Sequence, residues 1–257
     1  MPLGDQLVLE KYFSEKNIYY CINCAAYTFV DKAEEEKKLA FEINSHAVRD
    51  LARTCKKYKT QLIHISTDYV FNGNSKTTYT EFDKSDPVNV YGQSKLQGEN
   101  FALENNPRTI IIRTSWLYSS YGKNFVKTMI RLMNEKESIQ VVNDQVGSPT
   151  YAADLAKAII KIIEENELPK PGIYHYCNKG IISWYDFANA IKQILKSDCK
   201  INPITTVDFP TAAKRPVNSG LNTTKIEKQF GITIPGWNES LVKCMEKIMK
   251  SPDSYRE

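Results

Sequence analysis

At 257 residues, with 42% hydrophobic and 25% charged residues, the chain can build one large or two modest domains around a sizeable core. Its formal net charge of +4 is dispersed, with lysines at 37–38 and 56–59 set against the acidic run 34–36, and it lacks the long basic, aromatic-studded stripe of a nucleic-acid surface. No apolar run approaches the roughly 20 residues of a bilayer span, and MPLGDQLVLEKYF has neither a basic leader nor a continuous apolar core, so a cytoplasmic protein with no nucleic-acid or membrane partner is expected.

Tyr19–Ala25 reads as the first strand. From Ala33 to Tyr58, apolar residues recur at Leu39, Ala40, Ile43, Ala47, Val48, Leu51, Ala52 and Cys55, the stripe of one amphipathic helix. Leu62–Ser66 is the next strand, and the turn-rich NGNSKTTYTEFDKSDP leads into a helix carrying KLQGENFALE. TIIIRTS at 109–115 is almost wholly apolar, as in a parallel strand covered on both faces. A helix over Asn124–Glu135, a strand at Ile139–Val142, a helix at Ala153–Glu165 and a strand at Ile173–Cys177 follow. Ser183 and Asp186 have the spacing of an N-cap and its third helical residue. Strands alternating with helices predict an α/β protein built on a Rossmann-like doubly wound parallel sheet over 1–177. A smaller, mostly helical substrate-binding part is expected over 178–257, ending in a frayed SPDSYRE.

The six cysteines, at 21, 24, 55, 177, 199 and 244, read as reduced, buried structural residues. Cys21 and Cys24 form a CxxC, but strand alternation points them to opposite faces, and no second CxxC completes a metal site. His64 and His175 sit within strand-like runs and read as structural.

Chemistry concentrates at three strand ends, where an open α/β sheet binds its ligands. CINCAAYT closes with the small Ala25 and Ala26, LIHISTDYVF delivers Ser66, Thr67 and Asp68, and IIIRTSWLY delivers Ser115 and Trp116. The helix between the second and third carries Tyr91 and Lys95, one turn apart. A second Tyr-x-x-x-Lys, Tyr12/Lys16, lies upstream of all three strand ends. A phenol normally ionises near pH 10; a nearby ammonium is expected to bring Tyr91 toward the working range, while Thr67 bonds the substrate oxygen. This arrangement fits proton donation to a carbonyl as a nicotinamide delivers hydride.

In order, NCAAYTFVDKAE, HISTDYVF, VYGQSKLQGE, IIRTSWLY, GKNFVKTM and DQVGSPTYAADLA resemble the dTDP-4-dehydrorhamnose reductase family of extended short-chain dehydrogenases/reductases, over about residues 18–245. The resemblance implies NADPH- or NADH-dependent reduction of the 4-keto group of dTDP-4-dehydro-6-deoxy-L-mannose to dTDP-L-rhamnose. By matching position it makes Tyr91 the proton donor, Lys95 its partner and a ribose ligand, and Thr67 the hydroxyl that orients the substrate oxygen. Asp68, Trp116 and Arg215 become substrate contacts, and Ala25, Ala26 and Tyr27 the loop along the cofactor. Other roles stay open: a core aromatic for Trp116, a cap or turn for Asp68, a surface ion pair for Arg215. A homodimer is a family-level expectation. The family opens with a glycine-rich βαβ unit that cradles the pyrophosphate; none of the 11 glycines here has that pattern, so the unit is expected to be missing. A non-catalytic regulatory subunit, or an epimerase or reductase of another nucleotide sugar, are the alternative readings.

Overall fold

The computed structural model of the chain describes residues 5–164 and 170–250; SPDSYRE lies outside them. Helix α1 (Gln6–Ser14) starts where the Asp5 carboxylate accepts from the Val8 amide, and it buries Leu9 and Phe13. Strand β1 (Tyr20–Asn23) is followed by α2 (Val30–Ala33), α3 (Lys37–Phe41), a π-helical turn (Glu42–His46) and α4 (Ala47–Lys57). Then come β2 (Gln61–Thr67), a 3-10 turn (Asp68–Val70), α5 (Val90–Asn105), β3 (Ile110–Thr114) and β4 (Leu117–Tyr118). The chain continues through α6 (Phe125–Glu135), β5 (Ser138–Val142), β6 (Val146–Gly147), β7 (Thr150–Tyr151) and α7 (Ala152–Glu164). It closes with β8 (Gly172–His175), β9 (Ile182–Ser183), α8 (Trp184–Leu195), β10 (Lys200–Ile204), α9 (Thr224–Phe230) and α10 (Trp237–Lys250). Ser183 and Asp186 form the full capping box expected of them.

The main sheet is parallel, in the order β1-β2-β3-β8. Its central strands alternate between two covered faces. Leu62 and Ile111 meet α1, α4 and α5 through Leu9, Leu51 and Ala102, while Ile63, Ile110 and Ile112 meet α7 and α9 through Ile159 and Ile226. Among the described residues no strand pairs with the outer edge of β1, where Tyr19 and Ile22 are exposed. No described helix is long and apolar enough to cross a membrane.

Three expectations need correction. The helix expected over Ala33–Tyr58 is broken into three helices and a π-turn, and Leu39 of its supposed stripe is exposed. Strand β5 does not join the main sheet: it pairs in parallel with β10, against a separate core made by α6, α8 and α10. That core draws on residues 118–151 as well as on later ones, so the apolar clusters interleave across position 177. Of the cysteines expected to be buried, Cys21 is only half-buried and Cys24 is exposed, because β1 is an edge strand.

Candidate active site

The start of α5 is built to lie against the end of β2. Asn89 caps the helix, accepting from the Gly92 amide at 2.8 Å, and its own amide donates to the Lys214 carbonyl at 2.7 Å. A Cβ at Gly92 would stand 2.2 Å from the Tyr69 carbonyl oxygen, so only glycine lets the helix approach the 3-10 turn this closely. Six residues further along the helix, a Cβ at Gly98 would stand 2.0 Å from the Asn44 carbonyl oxygen, which fixes where the π-turn crosses α5. These contacts set Tyr91 beside Thr67 and Asp68.

Burial pushes the Tyr91 phenol up to about 12; a hydrogen bond with Thr67 pulls the other way, and the Asp68 charge adds to the rise. The expectation that Lys95 acidifies this phenol is therefore corrected. The Lys95 Nζ donates to the Ile65 carbonyl at 2.7 Å and lies 3.4 Å from His64 Nε2. Burial lowers Lys95 to about 8, against the charges of Glu99 and Cys24. Glu99, one turn along α5, is engaged by Arg113 in a buried pair at 2.7 Å. Asp68 is buried, and that burial raises its carboxyl to about 7 despite hydrogen bonds with Ser219 and Thr67. Thr67 donates to Asp68 Oδ1 at 3.0 Å, and it caps the 3-10 turn by accepting from the Tyr69 amide.

The loop after β1 brings Ala25 and Ala26 to the same strand-end crevice, with Ala25 exposed. Tyr27 anchors this loop: its ring packs with Ala33, Ala40 and Val90, and its hydroxyl donates to Glu36. Asn44, buried in the π-turn, accepts from the Tyr27 amide at 2.8 Å and donates to both the Tyr27 carbonyl and Ser94 Oγ at 3.0 Å. The small Ala25 and Ala26, exposed and half-buried respectively, the buried Ser66 hydroxyl without a hydrogen-bond partner, and the Lys95 amine together fit the ribose–nicotinamide half of a dinucleotide.

Beside this crevice lies an apolar cavity of about 400 Å³ whose lining includes Tyr69, Phe125, Trp184, Gln145, Phe209 and Arg215. Tyr69, in the cavity wall, meets Tyr91 edge-on at 5.6 Å between ring centroids. Trp116 stacks on Trp184 at 3.5 Å and holds a left-handed backbone with φ of 46°, a costly conformation for a bulky residue. Gly147 makes room for it: a Cβ there would stand 2.7 Å from the Trp116 ring. Arg215 grips Asp31 with both terminal nitrogens, at 3.1 and 2.6 Å. It is thus an ion-pair partner that also lines the cavity.

Tyr91, Lys95, Thr67, Asp68, Ala25 and Ala26 are gathered around the ends of β1 and β2, Arg215 lines the adjoining cavity, and Trp116 stands behind its Trp184 wall. Sequence reasoning missed Asn23, Asn44, Ser94, Tyr69 and Trp184, and it read His64 as a structural strand residue without noting that it touches Lys95. A signal existed for two of them. Asn23 and His64 are polar residues inside apolar strand runs, and a buried polar group requires a partner; the β1–β2 register sets them side by side.

Comparison with known proteins agrees along nearly the whole chain. The family described as the RmlD substrate binding domain matches residues 1–250. A dTDP-4-dehydrorhamnose reductase from Aggregatibacter actinomycetemcomitans is 45% identical over 229 residues, covering 86% of this chain and 78% of that protein. The crystal structure of a dTDP-4-dehydrorhamnose reductase from Clostridium acetobutylicum ATCC 824 is similar with a TM-score of 0.93 at 42% identity, covering 97% of this chain and 88% of that one. That of the Bacillus anthracis str. Ames enzyme of the same name, in complex with NADP, is similar at 0.92 and 40% identity, covering 96% and 87%.

Proposed function

Because the chain belongs to the dTDP-4-dehydrorhamnose reductase family, we propose that it reduces the 4-keto group of dTDP-4-dehydro-6-deoxy-L-mannose to dTDP-L-rhamnose, using NADPH or NADH. What supports this reading is the buried Tyr91 phenol, hydrogen-bonded to Thr67 at the end of β2 and edge-on to Tyr69, which lines the apolar cavity. When bound, the nicotinamide supplies the hydride. A phenol held at about 12 keeps its proton through neutral pH, which a donor in the reducing direction requires. It is still far more acidic than the alcohol formed at the reduced carbon, so proton transfer to the developing alkoxide is downhill. Thr67, bonded to Tyr91 and to Asp68, orients the substrate oxygen. Lys95, fixed by the Ile65 carbonyl, would hold the cofactor ribose. In the cavity, the aromatic walls suit a nucleobase and a deoxysugar, and Arg215 offers the charge that a diphosphate needs.

The relative solved with NADP supports NADPH as the first donor to try. A cytoplasmic setting, homodimeric assembly, and the division into a dinucleotide-binding part over 1–177 and a substrate part over 178–257 belong to the same proposal, on family grounds. The test is oxidation of NADPH, with NADH in parallel, by the purified protein given the 4-keto sugar nucleotide. Tyr91→Phe is expected to lower kcat by roughly 10²- to 10⁴-fold. Turnover by Tyr91→Phe at the unsubstituted rate would remove the proposed acid.

A further inference from the structure

Lys95 reaches the interior through a chain of polar contacts whose directions can be worked out. The Ala25 amide donates to Asn23 Oδ1 at 3.1 Å, and this bond fixes which end of the Asn23 side chain is oxygen. The Asn23 Nδ2 then faces His64 Nδ1 at 3.0 Å. An amide nitrogen is only a donor, so His64 Nδ1 must be the bare, accepting nitrogen. In a neutral imidazole the other nitrogen then carries the proton, and His64 is fully buried, which together with the charge of Lys95 keeps it neutral well below its ordinary range. That other nitrogen, Nε2, is the one 3.4 Å from Lys95 Nζ. Flipping the Asn23 amide does not escape the conclusion, because two N–H groups would then face each other at Ala25.

We infer that His64, locked by Asn23 as its Nε2–H tautomer, is a positioning residue that presents an N–H to Lys95 and favours the uncharged amine over the ammonium. An amine donates to the Ile65 carbonyl and accepts from His64 with its lone pair; an ammonium has no lone pair and opposes that N–H. The other titratable groups around Lys95 are Glu99 and Tyr91 on its own helix and Cys24 beyond β1. Glu99 favours the ammonium, yet Arg113 already neutralises it. Burial already brings Lys95 down to about 8, and an N–H aimed at its nitrogen acts in the same direction. The contact also ties Lys95 to the Ala25–Ala26 loop, since Asn23 bonds both His64 and Ala25. The functional consequence rests on the reductase reading above; the tautomer does not.

The test is long-range ¹⁵N–¹H correlation on the full chain with labelled histidine, assigned with His46→Gln and His175→Gln so that His64 is untouched. Expected is a protonated Nε2 and a bare Nδ1 from pH 6 to 9; a protonated Nδ1 or an imidazolium there overturns the inference, whether or not the protein reduces any sugar. In Asn23→Asp the carboxylate still accepts from the Ala25 amide but draws the imidazole proton to Nδ1. The proton affinity of Lys95, followed through its ¹³Cε resonance, is then expected to rise roughly tenfold. The alkaline limb of kcat/KM should move up with it. Adding Asn23→Asp to His64→Phe separates the routes: an effect confined to the chain that retains His64 supports the tautomer. An equal effect without His64 reduces it to a through-space charge and sinks the proposal. Reductase activity with the opposite tautomer would leave the function standing and this inference fallen.

Discussion

Two Tyr-x-x-x-Lys pairs show what residue spacing does and does not decide. At the exposed C-terminal end of α1, Lys16 Nζ, just beyond the helix, donates to the Tyr12 hydroxyl at 3.5 Å. The buried pair behaves otherwise: Lys95 turns inward to the Ile65 carbonyl, while Tyr91 faces Thr67. A desolvated amine takes the strongest acceptor within reach, and here that is a backbone carbonyl at a strand end. Asp68 carries a prediction at the same scale. Its carboxyl stands at about 7 in the folded protein, above the ordinary value near 4, so folding favours the protonated form. The stabilisation from that proton is complete below about pH 4 and is lost as pH rises through about 7. Asp68→Asn is expected to flatten this dependence, by roughly 4 kcal/mol at most between pH 4 and 8. Urea midpoints that fall in parallel for both proteins over that range would show that burial at Asp68 costs nothing.

Among the elements, the break in the helix after α2 is the most informative. Apolar periodicity predicts one continuous helix, and it is right for α4, whose buried Val48, Leu51, Ala52 and Cys55 come from the predicted stripe. It could not show that Asn44 would be drawn out of the regular pattern to hold the Tyr27 backbone and Ser94. The π-turn inserts the extra residue that points Asn44 inward, a device often found beside functional sites. Gly98 is its counterpart on α5, and Gly98→Ala should force the two helices apart, costing about 2–3 kcal/mol. Chemical unfolding at constant m-value would measure this; a loss below about 0.5 kcal/mol would mean the interface yields freely. Strand β5 carries the opposite lesson. Its alternating pattern made it a strand, but its partner β10 lies some sixty residues on, and nothing local names a partner at that distance.

Across the whole molecule, one ion pair links the loop after β1 to the cavity. Asp31 accepts both from Arg215 and from the Ala213 amide, so the segment that lines the cavity is tethered to α2, the helix that follows the Ala25–Tyr27 loop. Asp31→Asn is expected to loosen Arg215 and raise KM for the sugar nucleotide about fivefold with kcat nearly unchanged. A fall in kcat at constant KM would place Arg215 in the chemical step instead. The parallel alternation of strands and helices, the capping box at Ser183, and the strand end where Thr67 and Asp68 meet Tyr91 were all legible in the sequence, because each rests on local propensity, periodicity or chain order. Which strands pair, which way Lys95 turns, that Tyr27 anchors the loop, and that Asn23 and His64 stand behind the site were decided only by the tertiary structure. Those outcomes depend on burial and on partners distant in sequence, and desolvation sets a buried polar group's bonds and charge only once its surroundings exist.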